Sequence, residues 1–307
     1  MSLPDKARPM PPLPVREGVA PSRVFLPVGP WHLLRDFLVQ RFPYMPAQVL
    51  LDRLARGEIV DGEGMAQHID SLYVPLRWLW YYREVPAEAC VPFDLPILHR
   101  DDRLVVVDKP HFLASLPGGR HLKETALTRL RQSLDLPQLS PLHRLDRDTA
   151  GVLMFCVDPL DRGAYQTLFQ HRAVYKEYEA IAPIRPELSL PAVYRSRLQA
   201  KADEFVVEEV AGEPNSETHI ELAGRRSGLG LYRLRPHTGR KHQLRVHMSA
   251  MGIPICNDSF YPVLREYAQA DDFSRPLQLL SRAIAFKDPH SGKMRRFESQ
   301  RSLDWDE

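Results

Sequence analysis

The sequence predicts an α+β protein with a mixed, mostly antiparallel central sheet flanked by helices, preceded by a smaller N-terminal domain. Strand-like and helix-like segments follow one another in irregular order, without the steady strand–helix alternation of a parallel sheet. A chain of 307 residues, 44% hydrophobic and 26% charged, can build one large domain with an appendage around a core of ordinary size. Eight of the 28 prolines fall within the first 30 residues. Proline fixes φ and removes a backbone donor, so residues 1–29 are expected as an extended arm.

After the arm, Leu34, Phe37, Leu38 and Phe42 recur at helical spacing and predict a helix over Trp31–Gln40. Val49, Leu50 and Leu54, with Gly57 as a stop, predict a second over Ala47–Arg56. A short strand, Glu58–Val60, meets an Asp61-Gly62 turn. The run from Trp78 to Arg83 is the expected last strand; its aromatics suit either a core or a stack of bases. This order of elements resembles the small S4 RNA-binding module. The resemblance implies an S4-like RNA-binding domain over residues 30–88 and leaves residues 89–307 as a second, larger domain. Cys90–Pro96, flanked and punctuated by prolines, reads as a linker.

In the larger domain Leu104–Lys109, ended by Pro110, and Gly151–Val157 read as buried strands. Thr125–Leu134 and Asp161–His171 read as helices. A strand follows over Val174–Ile181, on which Val174, Lys176, Tyr178 and Ala180 share one face. Further strands are expected near Phe205–Val210, His219–Leu222 and Gly230–Pro236, then a helix over His242–Met251.

Net charge is only +2, so distribution is the informative quantity. From Leu222 to Asn257 there is no acidic residue, but there are seven basic ones: Arg225, Arg226, Arg233, Arg235, Arg240, Lys241 and Arg245. Such a stretch suits either a phosphate-facing surface or a solvated basic face. Cys90, Cys156 and Cys256 form no CxxC pair and suggest neither zinc nor a disulfide framework. His242 and His247 are five apart and do not share a helix face, so no metal site is expected. No apolar run nears the roughly 20 residues needed to span a bilayer. The start Met-Ser-Leu-Pro-Asp-Lys lacks a signal core, and a cytoplasmic protein is expected.

The stretch with most chemistry is Pro141-Leu142-His143-Arg144-Leu145-Asp146-Arg147-Asp148-Thr149-Ala150-Gly151, a polar loop feeding a buried strand. Its basic neighbours favour an ionised Asp146. That carboxylate suits attack on a glycosidic carbon, or simply an ion pair with Arg144 or Arg147. The pattern His-Arg-Leu-Asp-x-x-Thr-x-Gly resembles the signature of the RluA-type RNA pseudouridine synthases. In the same order stand Asp102–Pro110, Lys176-x-Tyr178-x-Ala180, Thr238–His247 and Gly252–Asp258, so the resemblance covers roughly residues 97–298.

The resemblance implies the pseudouridine synthase catalytic fold and isomerisation of uridines in structured RNA, ribosomal RNA first and transfer RNA second. It implies Asp146 as the essential aspartate, Tyr178 against the flipped base, and Arg245 as the ion-pair partner of Asp146. Arg144 would enter the stack that the uridine leaves, and His143, Arg147, Arg240, Lys241 and His242 would contact RNA. Lys109 would be structural. No cofactor, nucleotide or membrane is implied, and a monomer is expected. Ala150 stands where the family usually has serine, Leu280-Ser281 where His-Ala is common, and Ser115-Leu116-Pro117 follows the first strand in place of the usual His-Pro. Two other readings compete: a non-catalytic RNA-binding or RNA-folding protein on the same fold, and a hydrolase with Asp148 as second carboxylate.

Overall fold

The computed structural model describes residues 10–84, 88–201, 205–264 and 272–305. The chain divides into two compact units, Met1–Pro86 and Ala87–Glu307.

In the first unit, β1 (Ser22–Phe25), β2 (Ile59–Val60) and β3 (Trp78–Tyr81) form an antiparallel sheet in the order β1-β3-β2. Helices α1 (Leu34–Arg41) and α2 (Ala47–Ala55) bring Leu34, Phe37, Leu38, Leu50 and Leu54 into one buried cluster with Val24, Leu26 and Leu79. The expected arm of residues 1–29 is therefore corrected at its end. Between Pro21 and Pro27 every backbone N–H is available, and the alternating Val24 and Leu26 face the core. Of the aromatic run, Trp80 is buried, and Trp78 is half-buried with the Arg23 guanidinium 4.3 Å from its ring centroid.

The second unit is built on one 11-stranded sheet. Its strands are β4 (Ile97–Arg100), β5 (Leu104–Lys109), β6 (Ser140–Pro141), β7 (Ala150–Cys156), β8 (Tyr175–Pro183), β9 (Ala192–Ala200), β10 (Val207–Val210), β11 (Ser216–Arg226), β12 (Leu229–Pro236), β13 (Leu279–Lys287) and β14 (Met294–Glu298). The main path runs β10-β9-β11-β12-β8-β13-β7-β5-β4, with β14 on β13 and β6 on β7. The β13–β7 pair is parallel, and the other described pairs are antiparallel. The fold is thus α+β with a mixed sheet and three helices among the described residues: α3 (Ala126–Leu134), α4 (Arg162–Gln170) and α5 (Gln243–Ala250).

All residues of β5 and β7 are buried because both faces are covered. Val105, Val107, Leu153 and Phe155 pack with Leu127 and Leu130 of α3. Val106, Val152 and Met154 turn the other way, onto Tyr165 of α4. On the far side of the sheet, Ala180 and Ala182 of β8 meet Leu244 and Met248 of α5. Tyr178 packs against both the α3 and the α5 clusters, which places it where the two cores meet. The expected linker belongs to this unit: Val91 is buried, and the Glu88 carboxylate accepts from the backbone N–H groups of Leu122, Lys123 and Glu124.

Gly151 sits in the β7–β13 seam with φ +107, and a Cβ there would lie 2.2 Å from the Ser281 carbonyl oxygen. Only glycine permits both the left-handed backbone and this approach. Gly151→Ala is expected to destabilise the unit by about 2 kcal/mol or more through strain and clash; a melting temperature equal to wild type would contradict this account of the seam.

Candidate active site

The loop carrying Asp146 runs from β6 back into β7 and is fastened from both sides. Leu142 and Leu145 are buried, which points the residues between and after them outward. The Ser115 hydroxyl donates to the Leu145 carbonyl at 2.7 Å and accepts from its N–H at 3.1 Å. Lys109, wholly buried at the end of β5, donates to the carbonyls of Pro110 (2.9 Å), Leu113 (2.7 Å) and Arg147 (3.0 Å). Burial pulls this lysine down to about 7, while Asp148 and Asp146 favour its charge. Three carbonyl acceptors and no donor around Nζ suit the ammonium. Through these contacts Lys109 ties the end of β5 to the loop backbone. His111 Nδ1 holds the Asp148 carbonyl at 2.7 Å, and the Thr149 N–H closes the turn on the Asp146 carbonyl at 3.2 Å.

The loop opens onto a pocket of about 450 Å³. Its lining includes Arg144, Asp146, Lys176, Tyr178, His242 and Arg245. The structure therefore brings together residues that lie a hundred positions apart in sequence. His143 and Arg240 also line it. Arg144 is exposed at its rim and has no ion-pair partner among the described residues. The His143 Nε2 accepts from the Met154 N–H at 3.1 Å, and its ring stacks on Phe169. Burial pulls His143 down to about 3, so it is neutral.

Two expected contacts stand outside the lining. Arg147 lies on the Asp148 carboxylate (3.2 Å) and over the Phe112 ring instead. Lys241 lies over the Phe205 ring at 3.8 Å and donates to the Phe205 carbonyl. Its charge still acts on Asp146 from there. The acid-free stretch is also less basic in space than in sequence. Arg233 and Arg235 pair with Glu177 of β8 and Glu221 of β11, which adjacent strands supply.

Asp146 Oδ2 lies 3.9 Å from both Arg245 Nη1 and His242 Nε2. These distances are too long for hydrogen bonds, and the carboxylate has no shorter side-chain partner among the described residues. Burial raises its pKa above the usual carboxylate range, opposed by the charges of Arg245, Arg144, Lys109 and Lys241. The neighbouring cations favour ionisation, but desolvation wins because the loop sets the carboxylate inside the wall of the fold.

Arg245 is 1% exposed on α5 and is gripped by Asp258, with Nε to Oδ2 at 2.8 Å and Nη2 to Oδ1 at 2.6 Å. Burial works against its charge, but the hydrogen bonds and charge of Asp258 outweigh it and hold the guanidinium above its ordinary value. The expected Arg245–Asp146 pair is thus long, and the bidentate partner is Asp258. The sequence reading assigned Asp258 no role. A signal was present: it is the first acidic residue after the acid-free stretch. Lys176 also went unassigned. Its Nζ donates to the Thr238 carbonyl at 3.0 Å, and burial pulls it down to about 8. Burial pushes the Tyr178 phenol up to about 12, against a hydrogen bond with the Ser281 side chain that lowers it. No cluster of three metal-ligating side chains occurs among the described residues.

The fold of the sheet is that of a known enzyme class. Human RNA pseudouridylate synthase domain-containing protein 4 superposes with a TM-score of 0.53 at 25% identity, over 68% of this chain and 88% of that one. Domain-containing protein 1 does so at 0.54 and 22%, a likeness of fold. Residues 103–250 match the RNA pseudouridylate synthase family model. An uncharacterised RNA pseudouridine synthase of Synechocystis is 30% identical over 74% of this chain and 78% of its own length. The dual-specificity RNA pseudouridine synthase RluA of Pasteurella multocida is 30% identical over 64% and 88%. This chain belongs to the RluA-type RNA pseudouridine synthase family.

Proposed function

We propose that the protein isomerises specific uridines to pseudouridine in structured RNA, ribosomal RNA first and transfer RNA second, with Asp146 as nucleophile. The observation that carries this reading is the Asp146 carboxylate: it lines a nucleoside-sized pocket, lies 3.9 Å from Arg245, and has no hydrogen-bonded side-chain partner among the described residues. A nucleophile needs a free lone pair and a fixed position, and the fastened loop offers both.

In the reaction the N1–C1′ bond breaks, the uracil turns, C5 bonds to C1′, the C5 proton leaves, and N1 takes up a proton, so atoms balance. Asp146 supports the departure of the base from C1′. Tyr178 offers a ring face to the extruded uracil and a phenol that stays protonated at neutral pH. Arg245, anchored by Asp258, keeps a positive charge beside the carboxylate. Arg144 at the rim is a planar cation suited to fill the gap left in the base stack. Extruding the base costs about a few kcal/mol. Lys176 and Arg240 at the pocket can offset part of that through phosphate contacts. The first unit, with its two helices and three strands, is read as an S4-like RNA-binding module.

Purified protein incubated with ribosomal and transfer RNA pools, followed by mapping of pseudouridine, tests the proposal. New pseudouridine in either pool supports it. Released uracil points to the hydrolase, and unchanged RNA to a binding protein.

Two further outcomes follow from the site. Tyr178→Phe keeps the ring and loses the hydroxyl, so turnover should fall by about tenfold or more while affinity for RNA changes little. Equal losses would argue against a chemical role for the phenol. Activity should also fall on acidification at a higher pH than a free aspartate would dictate. The working form is ionised, and burial raises the pKa through which it is lost. A pH–rate profile with its acid limb at or below the ordinary aspartate value would contradict this.

A further inference from the structure

His242 begins α5 in the left-handed conformation, φ 55, with its ring stacked on Phe260 and its side chain 1% exposed. Its Nδ1 lies 3.0 Å from the Tyr261 hydroxyl. That hydroxyl also lies 3.0 Å from the Val207 carbonyl and accepts from the Val207 N–H at 2.9 Å. A carbonyl can only accept, so the hydroxyl proton goes to Val207, and the oxygen has only lone pairs left for His242. The proton of the imidazole is therefore on Nδ1, and Nε2 carries a bare lone pair. Burial pulls the ring down to about 3, which keeps it neutral. Nε2 points to the Asp146 side of the pocket and has no hydrogen bond among the described residues.

Arg245 Nη1 is the complementary case. It is a buried donor without a hydrogen-bond partner, and it also lies 3.9 Å from Asp146 Oδ2. A bare acceptor and an orphan donor thus converge on one carboxylate oxygen. A buried donor without a partner is costly, so Arg245 Nη1, with the bare Nε2 of His242 facing the same pocket, marks a place that a ligand completes. The matching group must accept from one and donate to the other, which is what a hydroxyl does.

Building on the proposed attack at C1′, we infer that His242 Nε2 and Arg245 Nη1 read the ribose 2′-hydroxyl of the target uridine. That hydroxyl stands on the carbon next to the one Asp146 addresses. It is also the group that separates RNA from DNA. His242 thereby becomes the residue that makes the site demand ribose.

The probe is a synthetic hairpin around a uridine that the purified protein converts, made with ribose or with 2′-deoxyribose at that nucleotide alone. Wild type should bind and convert the deoxy probe about tenfold or more worse than the ribose probe. In His242→Phe, which keeps the stacked ring, the two probes should differ by less than about threefold. An undiminished deoxy penalty in that variant, or none in wild type, overturns the inference. Where no RNA is converted, which counts against the proposed function alone, affinities for a uridine hairpin and its deoxy counterpart are compared instead. Should His242→Phe fail to fold, nitrogen-15 spectra of the wild-type imidazole decide: a proton on Nδ1 with bare Nε2 is expected, and a proton on Nε2 overturns it.

Discussion

Asp146→Asn should lower pseudouridine formation by about a thousandfold or more while leaving the protein folded. The amide keeps the shape of the carboxylate and loses its nucleophilic charge. The loop does not depend on that charge, because Ser115, Lys109 and His111 hold its backbone. The variant should also melt at or above the wild-type temperature at neutral pH. The folded-state pKa of Asp146 is raised by burial, so its ionised form weighs against folding above that pKa. The advantage of asparagine shrinks as pH falls through the folded pKa and vanishes below the ordinary aspartate value. Turnover assays and melting curves across pH check both parts. An active Asp146→Asn enzyme would end the nucleophile assignment, and a large fall in melting temperature would end the claim that the site is held by its backbone.

Asp258→Asn should have the largest effect on stability. Asp258 and Arg245 are each 1% exposed at the side chain, and Oδ1 of Asp258 also accepts from the N–H groups of Phe260 and Tyr261. Removing one partner of a buried pair leaves the other charge uncompensated, at about 3–5 kcal/mol. Activity should fall as well, because the guanidinium loses the anchor that sets its distance from Asp146. Denaturation of Asp258→Asn, Arg245→Met and the double variant tests this. The double variant should be less damaged than the sum of the singles, since neither charge is then left alone. Additive losses, or a single loss below about 1 kcal/mol, would show that the pair is not coupled as described.

Much of the architecture was legible because burial imposes periodicity. The runs that became β5, β7, α3 and α5 are short, strongly patterned and ended by proline, glycine or polar residues. Strand β13 was not, although it is the sheet's central joint. Ser281 and Arg282 interrupt its apolar residues, so no continuous hydrophobic run marks it as one marks β5 and β7, and its partners β7 and β8 precede it by about a hundred residues. Strand β1 was masked by the prolines around it.

The site divides the same way. The sequence by itself determined which residues form the constellation: Asp146 after His143-Arg144-Leu145, Tyr178 on a strand, Arg245 on a helix, in an order that signals the family. Local sequence can do this because a motif records which side chains a loop or strand must present. Only the tertiary structure decided who pairs with whom. It gave Arg245 to Asp258 and left Nη1 without a partner. It turned Arg147 away, neutralised Arg233 and Arg235 with glutamates from adjacent strands, and set a neutral His242 beside the carboxylate. Charge, distance and burial are properties of space: the candidate carboxylate could be picked from the chain, but its environment exists only once β7, β8, β13 and α5 are packed.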